Sequence, residues 1–97
     1  MKETGIRKEV LEEIRGLAKK YHIGKVVLFG SRARGDYKRA SDIDLAVCGG
    51  NVSRFALEVE EETSTPLKYD VIDLDENVGE ALRTSIETEG ILLYEEV

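Results

Sequence analysis

The segment from Lys25 to Cys48, KVVLFGSRARGDYKRASDIDLAVC, restricts the possible folds of this chain more than any other. It opens with a short apolar run, Val26 to Phe29, which has the length and β-branched content of a buried strand. The run ends at Gly30 and Ser31, and a basic stretch follows before a second strand starts at Asp42. We therefore expect two neighbouring strands joined by a turn, a short helix and a loop.

The second strand, Asp42 to Cys48, alternates in the way that is typical of a strand with one buried face. A period of two places Asp42, Asp44 and Ala46 on one face, which we expect to be solvated, and the branched apolar residues on the other. The α-carbons of the two aspartates are then about 7 Å apart, so their carboxylates can bind a common cation. Without a cation, the two charges repel by about 2 kcal/mol at an effective dielectric of about 20.

Length and charge limit the classes of function. A chain of 97 residues is expected to form a single domain over residues 1–97. The formal net charge of −6 argues against a surface that binds long nucleic acid. However, four of the 14 basic residues lie between Ser31 and Ala40, beside the carboxylates. A local basic cluster on an acidic protein favours a compact polyanion such as a triphosphate.

The remaining composition excludes several kinds of site. One cysteine cannot form an intramolecular disulfide or a cysteine-based zinc site, and one histidine cannot form a histidine-rich metal centre. No apolar run approaches the roughly 18 residues that a membrane-spanning helix needs. The start of the chain shows no signal-peptide pattern. We therefore expect a cytoplasmic protein that does not bind a membrane.

Outside the central segment, helical and strand patterns alternate along the chain. Apolar residues recur at helical spacing in the first part of the chain and in two later segments, and two short runs have the character of strands. The predicted elements are a helix from Ile6 to Tyr21, a helix from about Val52 to Glu62, a strand from Lys68 to Leu74, a helix from Asp75 to about Thr88, and a strand from Ile91 to Tyr94. With the two central strands, this order predicts a two-layer α+β fold, a four-stranded sheet covered on one face by helices.

Two weak motifs become informative together. Gly-Ser after a strand is usually a plain turn, although a small residue also lets the backbone approach a phosphate. Asp-x-Asp on a strand usually marks a wet face. Here Gly30-Ser31 and Asp42-x-Asp44 are separated by ten residues and lie on adjacent predicted strands, so both reach the same end of the sheet. Phosphoryl transfer needs this pairing of anchored phosphates with a bound metal ion.

The sequence GSRARGDYKRASDIDLAV resembles the signature of the DNA polymerase β-like nucleotidyltransferase superfamily, and within it the minimal nucleotidyltransferases, or MNT group. The resemblance extends from the first helix to the final ILLY strand. It implies a mixed four-stranded sheet with helices packed on one face. It also implies an enzyme that uses ATP as nucleotide donor together with two Mg²⁺ ions.

The resemblance assigns roles to individual residues. Gly30 and Ser31 correspond to the residues that bind the nucleotide phosphates, and Asp42 and Asp44 to catalytic ligands of Mg²⁺. The family has a third carboxylate on a neighbouring strand, and KYDVIDL offers both Asp70 and Asp73. Alternation does not decide between them, but the family places this acid early in the strand, which favours Asp70.

The two arginines that follow Ser31 have two possible roles each. Arg32 and Arg34 could bind the triphosphate, since guanidinium groups suit phosphate oxygens. Alternatively, one of them could pair with Asp36 or fix the loop. Ser41 is expected to fix the turn before Asp42.

The resemblance also implies a partner. Larger members of the superfamily carry further domains that hold the base and the acceptor. In the MNT group the partner instead resembles a separate helical HEPN protein, often encoded alongside. Such a pair behaves as a toxin–antitoxin system in which the HEPN protein is an RNase toxin. The implied reaction transfers AMP from ATP to a tyrosine hydroxyl of that toxin. Nucleotidyl transfer to a small molecule and non-catalytic masking of the partner are the alternatives, and the sequence leaves homo-oligomer formation open.

Overall fold

The computed structural model describes residues 3–97 of the chain. Its elements are α1 (Lys8–Lys20), β1 (Lys25–Phe29), α2 (Gly30–Arg34), β2 (Ile43–Cys48), α3 (Val52–Glu62), β3 (Tyr69–Asp73), α4 (Glu80–Glu89) and β4 (Ile91–Glu95). The α+β class expected from the sequence is confirmed. Within the described range, no helix combines the length and the apolar character that crossing a membrane requires.

The four strands form one mixed sheet in the order β3-β2-β1-β4. β1 runs antiparallel to β2 and β4, whereas β2 and β3 run parallel. α3 connects the parallel pair, because parallel neighbours need a long crossover rather than a tight turn. The register pairs Phe29 with Asp44 and Asp44 with Asp70. This register brings the end of β1 and the starts of β2 and β3 to one edge of the sheet.

α1 and α3 pack on one face of the sheet and enclose the larger core. Their apolar stripes meet the branched residues of β1 and β2 that the alternation predicted to be buried. The fully buried members of this core include Ile14, Ala18, Val26, Leu28, Ile43, Leu45, Val47, Phe55 and Val59. Burial of each larger side chain contributes about 1.5–3 kcal/mol, so this layer holds β1 and β2 rigidly in place.

α4 lies on the opposite face and departs from the expected arrangement, in which all helices pack on one face. Ile86 of α4 is buried against Phe29 and Ala46, and Ala46 itself is fully buried. The prediction that Ala46 lies on a solvated face is therefore wrong. A period of two separates the faces of a strand but does not tell whether a helix covers the second one. The small side chain of Ala46 lets α4 approach the sheet there.

α4 also begins later than its sequence predicted, at Glu80 instead of Asp75. The segment after β3 forms a turn around Asp73. The backbone amide of Asp75 donates to Oδ1 of Asp73 at 2.9 Å, and the backbone amide of Glu76 donates to the carbonyl of Asp73 at 3.1 Å. Such local bonds from an aspartate compete with helix formation, which explains the delayed start.

Candidate active site

β1 ends in a tight turn at Gly30, where the chain leaves the sheet and enters α2. Gly30 has φ +73°, a left-handed conformation that costs other residues about 1–2 kcal/mol. A Cβ atom at this position would overlap Oδ2 of Asp44. The turn that was predicted to bind phosphate therefore lies directly against a carboxylate of the Asp-x-Asp motif.

Asp42, Asp44 and Asp70 lie at the same end of neighbouring strands. Asp44 and Asp70 are paired across the parallel β2 and β3, whose backbones are about 4.8 Å apart. Asp42 immediately precedes β2. Asp42 and Asp70 are exposed, and Asp44 is half-buried. The structure thus brings these three sequence-predicted carboxylates to one edge of the sheet, beside Gly30. We refer to the three together as the acidic group.

The register also separates the two candidates for the third carboxylate. Asp70 is the direct neighbour of Asp44, and side chains of paired residues point to the same face. Asp73 is paired with Val47, which lies in the core under α1 and α3, so Asp73 belongs to the opposite face. There Asp73 shapes the turn to Asp75. Its position therefore favours a structural role, and that of Asp70 a role in the acidic group.

The neighbouring carboxylates and partial burial change the pKa of Asp44. Burial, followed by the negative charges of Asp70 and Asp42, raises the pKa of Asp44 above its ordinary value of 3.8. The positive charges of Arg34 and Arg32 act in the opposite direction but do not cancel these effects. The ionised form of Asp44 is thus disfavoured until a cation approaches.

The acidic group suits Mg²⁺, which prefers oxygen ligands. Within residues 3–97, no three acidic, histidine or cysteine side chains form a ready-made metal cage. However, Mg²⁺ is usually bound by one or two carboxylates together with substrate phosphates and water. Asp42 and Asp44, with Asp70 beside them, therefore fit a site that is completed by a nucleotide.

Arg32 does not face the acidic group freely. It is only 1% exposed, and its Nε donates to the carbonyl of Ser41 at 3.0 Å. Its Nη1 donates to the carbonyl of Thr4 at 2.9 Å, and its Nη2 to that of Arg39 at 3.2 Å. The guanidinium also lies over the ring of Tyr37, 4.9 Å from its centroid. The expected contact between Arg32 and the nucleotide is inconsistent with this position, which agrees with the alternative that Arg32 fixes the loop.

Arg34 has a different environment. Its Nε lies 3.3 Å from Oδ2 of Asp36, and its Nη1 lies 3.8 Å from Oε1 of Glu89 on α4. The Arg34 side chain remains 41% exposed, so both ion pairs are weak and exchangeable. The positive charge of Arg34 thus acts on Asp44 from a solvent-exposed position.

The loop between α2 and β2 is held by its own residues. The carbonyl of Ser31, which is half-buried, accepts bonds from the amides of Gly35 and Asp36 at 2.8 and 3.2 Å. The hydroxyl of Ser41 accepts a bond from the amide of Lys38 at 2.8 Å, which confirms that Ser41 fixes the turn before Asp42. The loop thus reaches β2 in a defined conformation.

Sequence reasoning missed three contacts around this loop. Thr4, Tyr37 and Glu89 contact Arg32 or Arg34 in the structure. Tyr37 is close to Arg32 in sequence, and its aromatic ring was the one available signal. Thr4 and Glu89 are distant from the loop in sequence, and no periodic pattern links them to it.

An open pocket lies elsewhere in the molecule. A cavity of about 360 Å³ lies between α4 and the second face of the sheet, lined by Lys25, Val27, Leu74, Arg83, Ile86, Glu87, Gly90, Leu92 and Glu95. None of the predicted site residues lines it. The convergence of charged groups, rather than the cavity, therefore marks the candidate site, because a metal-bound triphosphate needs an open polar edge.

Comparisons with known proteins agree with this geometry. The sequence profile of the family described as "Polymerase beta, Nucleotidyltransferase" matches residues 12–97. A protein of Methanocaldococcus jannaschii that carries the provisional name protein adenylyltransferase is 40% identical over 67 residues. That match covers 67% of this chain and 65% of the relative, so the chain spans somewhat less than two thirds of the relative's length.

Two solved structures share the fold. A crystal structure of a toxin–antitoxin with AMP-PNP superposes with a TM-score of 0.72 at 23% identity, covering 89% of this chain and 73% of that one. A chain described as a minimal nucleotidyltransferase has a TM-score of 0.63 at 27% identity, covering 84% of this chain and 86% of that one. Both likenesses extend over most of the sheet and its helices.

Proposed function

The chain belongs to the polymerase beta nucleotidyltransferase family, and we propose that it transfers AMP from ATP to a tyrosine hydroxyl of a partner protein. In this proposal the partner is a helical HEPN-type RNase toxin, and the modification neutralises it. The reaction takes place in the cytoplasm and depends on Mg²⁺. The chain thereby acts as an antitoxin.

The observation that carries the proposal is the contact between Gly30 and Asp44, with Asp70 beside it. The turn at Gly30 lies so close to Asp44 that a Cβ there would force the Asp44 carboxylate to move, and Asp70 is the neighbour of Asp44 on the parallel strand. A triphosphate at this turn would have its phosphates next to the carboxylates. An ordinary wet strand face does not require such a close approach between a turn and an acid.

The residues then have separate tasks. The backbone at Gly30 and Ser31 holds the phosphates, and Arg34 can neutralise the pyrophosphate as it leaves. Asp42 and Asp44, with Asp70, would hold Mg²⁺, and the ions would polarise the α-phosphate and stabilise the leaving group.

In the proposed step, the tyrosine oxygen forms a bond to the α-phosphorus, and the bond between the α-phosphorus and the bridging oxygen of pyrophosphate breaks. We assign the tyrosine proton to the carboxylate of Asp70, which is exposed and can pass it on to solvent. The products are AMP-tyrosine and pyrophosphate.

The choice of a protein acceptor has separate support. The relative from Methanocaldococcus jannaschii is named provisionally as a protein adenylyltransferase. The same fold occurs in a toxin–antitoxin that was determined with AMP-PNP, an ATP analogue. The site itself lies at an open edge of the sheet, and this exposure suits an acceptor presented by another protein.

Intact-mass measurement tests the proposal directly. The protein is mixed with ATP, Mg²⁺ and the helical protein encoded by the adjacent gene, with Asp44→Asn as the inactive control. An AMP-sized increment on the partner that is absent with Asp44→Asn, and that peptide mapping places on tyrosine, would support the proposal. A stable complex without any increment would instead favour masking of the partner. An increment on an added small molecule alone would favour the small-molecule alternative.

A further inference from the structure

Arg32 is the largest charged side chain that the structure buries almost completely. Its guanidinium donates to three backbone carbonyls, from three separate stretches of chain: Thr4, Arg39 and Ser41. A buried cation is costly unless it is fully hydrogen-bonded, and these three bonds and the ring of Tyr37 supply that compensation. This pattern of bonds indicates what Arg32 positions.

The bond to Ser41 acts on the residue that carries the first carboxylate. The carbonyl of Ser41 and the amide of Asp42 belong to the same peptide unit, which is planar and rigid. By holding that carbonyl at 3.0 Å, Nε of Arg32 fixes the orientation of the peptide from which Asp42 extends. One residue later, the amide of Ile43 donates to the carbonyl of Lys68 at 2.8 Å and begins the pairing with β3.

Arg32 is also the immediate neighbour of Ser31 in α2. One side chain therefore connects the turn at Gly30 and Ser31 with the peptide before Asp42. The pairing of β1 with β2 ends at Phe29 and Asp44, so it does not hold Asp42, which precedes β2. A rigid fork across the loop sets the separation of the turn and that peptide more accurately than the loop backbone alone can.

The far side of the guanidinium is held as well. Nη1 donates to Thr4, which is 6% exposed, and the ring of Tyr37 lies over the guanidinium. Gly5 has φ +71°, and a Cβ there would come 2.7 Å from Nη1 and 2.5 Å from the Tyr37 ring. The segment before α1 thus closes over Arg32 and leaves the guanidinium little freedom to turn.

We propose that Arg32 is a positioning residue, which sets the distance and angle between the phosphate turn at Gly30-Ser31 and the carboxylate of Asp42. It acts through the peptide bond between Ser41 and Asp42 and does not touch the nucleotide. The inference rests on the proposed nucleotidyl transfer for its kinetic readout. It has a separate binding readout that does not depend on transfer.

The test compares Arg32→Lys with Arg39→Lys, the same substitution at an exposed side chain of the same loop. Lysine keeps the charge but cannot donate in a fixed fork to three carbonyls. With Arg32→Lys, we expect kcat for AMP transfer to fall by roughly 10- to 100-fold, as displacements of about 1 Å do. We also expect the Mg²⁺ concentration for half-maximal activity to rise several-fold. Arg39→Lys should match the wild type in both respects.

The assays are run well below the melting temperature of each variant, so that every protein is folded. If Arg32 only stabilises the fold, Arg32→Lys will lower the melting temperature and leave kcat and the Mg²⁺ requirement unchanged. That result would overturn the proposal. Ser41→Ala provides a second variant that removes only the hydroxyl bond to Lys38. It should change the Mg²⁺ requirement in the same direction, by a smaller factor, because the same peptide becomes less constrained.

Binding separates this inference from the proposed function. Mn²⁺ is added to protein with AMP-PNP, and the paramagnetic broadening of the amide signals of Gly30, Ser31 and Asp42 is followed by NMR. If the wild type transfers no AMP, the proposed function fails. The positioning role is still supported if all three signals broaden in the wild type and only some of them broaden in Arg32→Lys. Identical broadening in both proteins would overturn it.

Discussion

Gly30 and Asp44 are in contact, although Gly30 begins α2 and Asp44 lies on β2, beyond the loop that follows α2. The carboxylate of Asp44 occupies the space where any other residue at position 30 would place its Cβ atom. The contact links the two motifs that the sequence could only place at the same end of the sheet. It also means that the turn at Gly30 and the carboxylate of Asp44 cannot be altered independently.

Gly30→Ala should therefore damage the site more than the fold. The Cβ atom would displace Asp44, and the left-handed backbone adds a cost of about 1–2 kcal/mol. We expect the rate of AMP transfer to fall by at least about tenfold, which corresponds to a rise of about 1.4 kcal/mol in the activation barrier of the reaction. Intact-mass kinetics on the partner protein would measure the loss, and thermal unfolding the change in stability.

Gly16→Ala is the matched control for this substitution. Gly16 lies in the exposed part of α1, and nothing lies within 4 Å of the position that a Cβ would take. Alanine there should stabilise the protein by up to about 1 kcal/mol, because glycine is a poor helix former. Transfer should be unchanged. Equal activity of both alanine variants would contradict the close contact at Gly30.

Asp44→Asn should stabilise the Mg²⁺-free protein while abolishing transfer. Because the folded-state pKa of Asp44 is raised above 3.8, the ionised carboxylate opposes folding. The wild type and the variant should therefore be similar below the unfolded pKa. The wild type loses stability relative to the variant as the pH rises through the raised pKa, and it remains less stable at neutral pH.

Melting temperatures measured across this pH range, with and without Mg²⁺ and ATP, check this expectation. Ligands should raise the melting temperature of the wild type and have little effect on Asp44→Asn, because binding to the folded state stabilises it. A wild type that is as stable as the variant at neutral pH without Mg²⁺ would show that Asp44 is not strained.

Glu13 should affect stability in the opposite direction. The amide of Ser64 donates to its Oε1 at 2.8 Å, and the hydroxyl of Ser64 donates to its Oε2 at 2.7 Å. These bonds lower the pKa of Glu13 below 4.5. Its stabilising effect is present above the unfolded pKa and is lost as the pH falls through the lower folded pKa. Glu13→Gln should thus be less stable than the wild type at neutral pH, with the gap closing in acid.

Denaturant titrations at several pH values would measure that gap. Glu12→Gln, the same change at the exposed neighbouring residue, serves as the matched control for the substitution itself. A gap that stayed constant into the acidic range would mean that packing rather than charge accounts for the effect of Glu13.

The sequence predicted the elements that follow from local periodicity, and with them the meeting of Gly30 with the Asp-x-Asp motif. It did not predict that α4 covers the second face, because Ile86 and Ala46 meet only through tertiary packing. It left Arg32 with two roles because the charge of an arginine does not reveal its burial. The carbonyl of Thr4 that receives Arg32 is invisible to any pattern of side chains.

The choice between Asp70 and Asp73 shows most clearly how the structure adds to the sequence. Alternation along one strand tells which residues share a face but not which face meets the site. The register supplies that information, since Asp70 is paired with Asp44 and Asp73 with Val47. A shift of the register by one residue would exchange the faces of the sheet on which the two acids lie.

Asp70→Asn and Asp73→Asn therefore form a matched pair of substitutions on one strand. Asp70→Asn removes a carboxylate beside Asp44, and we expect transfer to fall by on the order of 100-fold, as for loss of a group that binds metal or takes a proton. It should also lower the pKa of Asp44, because the Asp70 charge contributes to the present rise. Asp73→Asn should leave transfer close to the wild-type rate, and it should weaken the turn to Asp75. Kinetics combined with carboxyl chemical shifts from NMR would measure both effects, and a greater loss with Asp73→Asn would assign the third carboxylate to the other face.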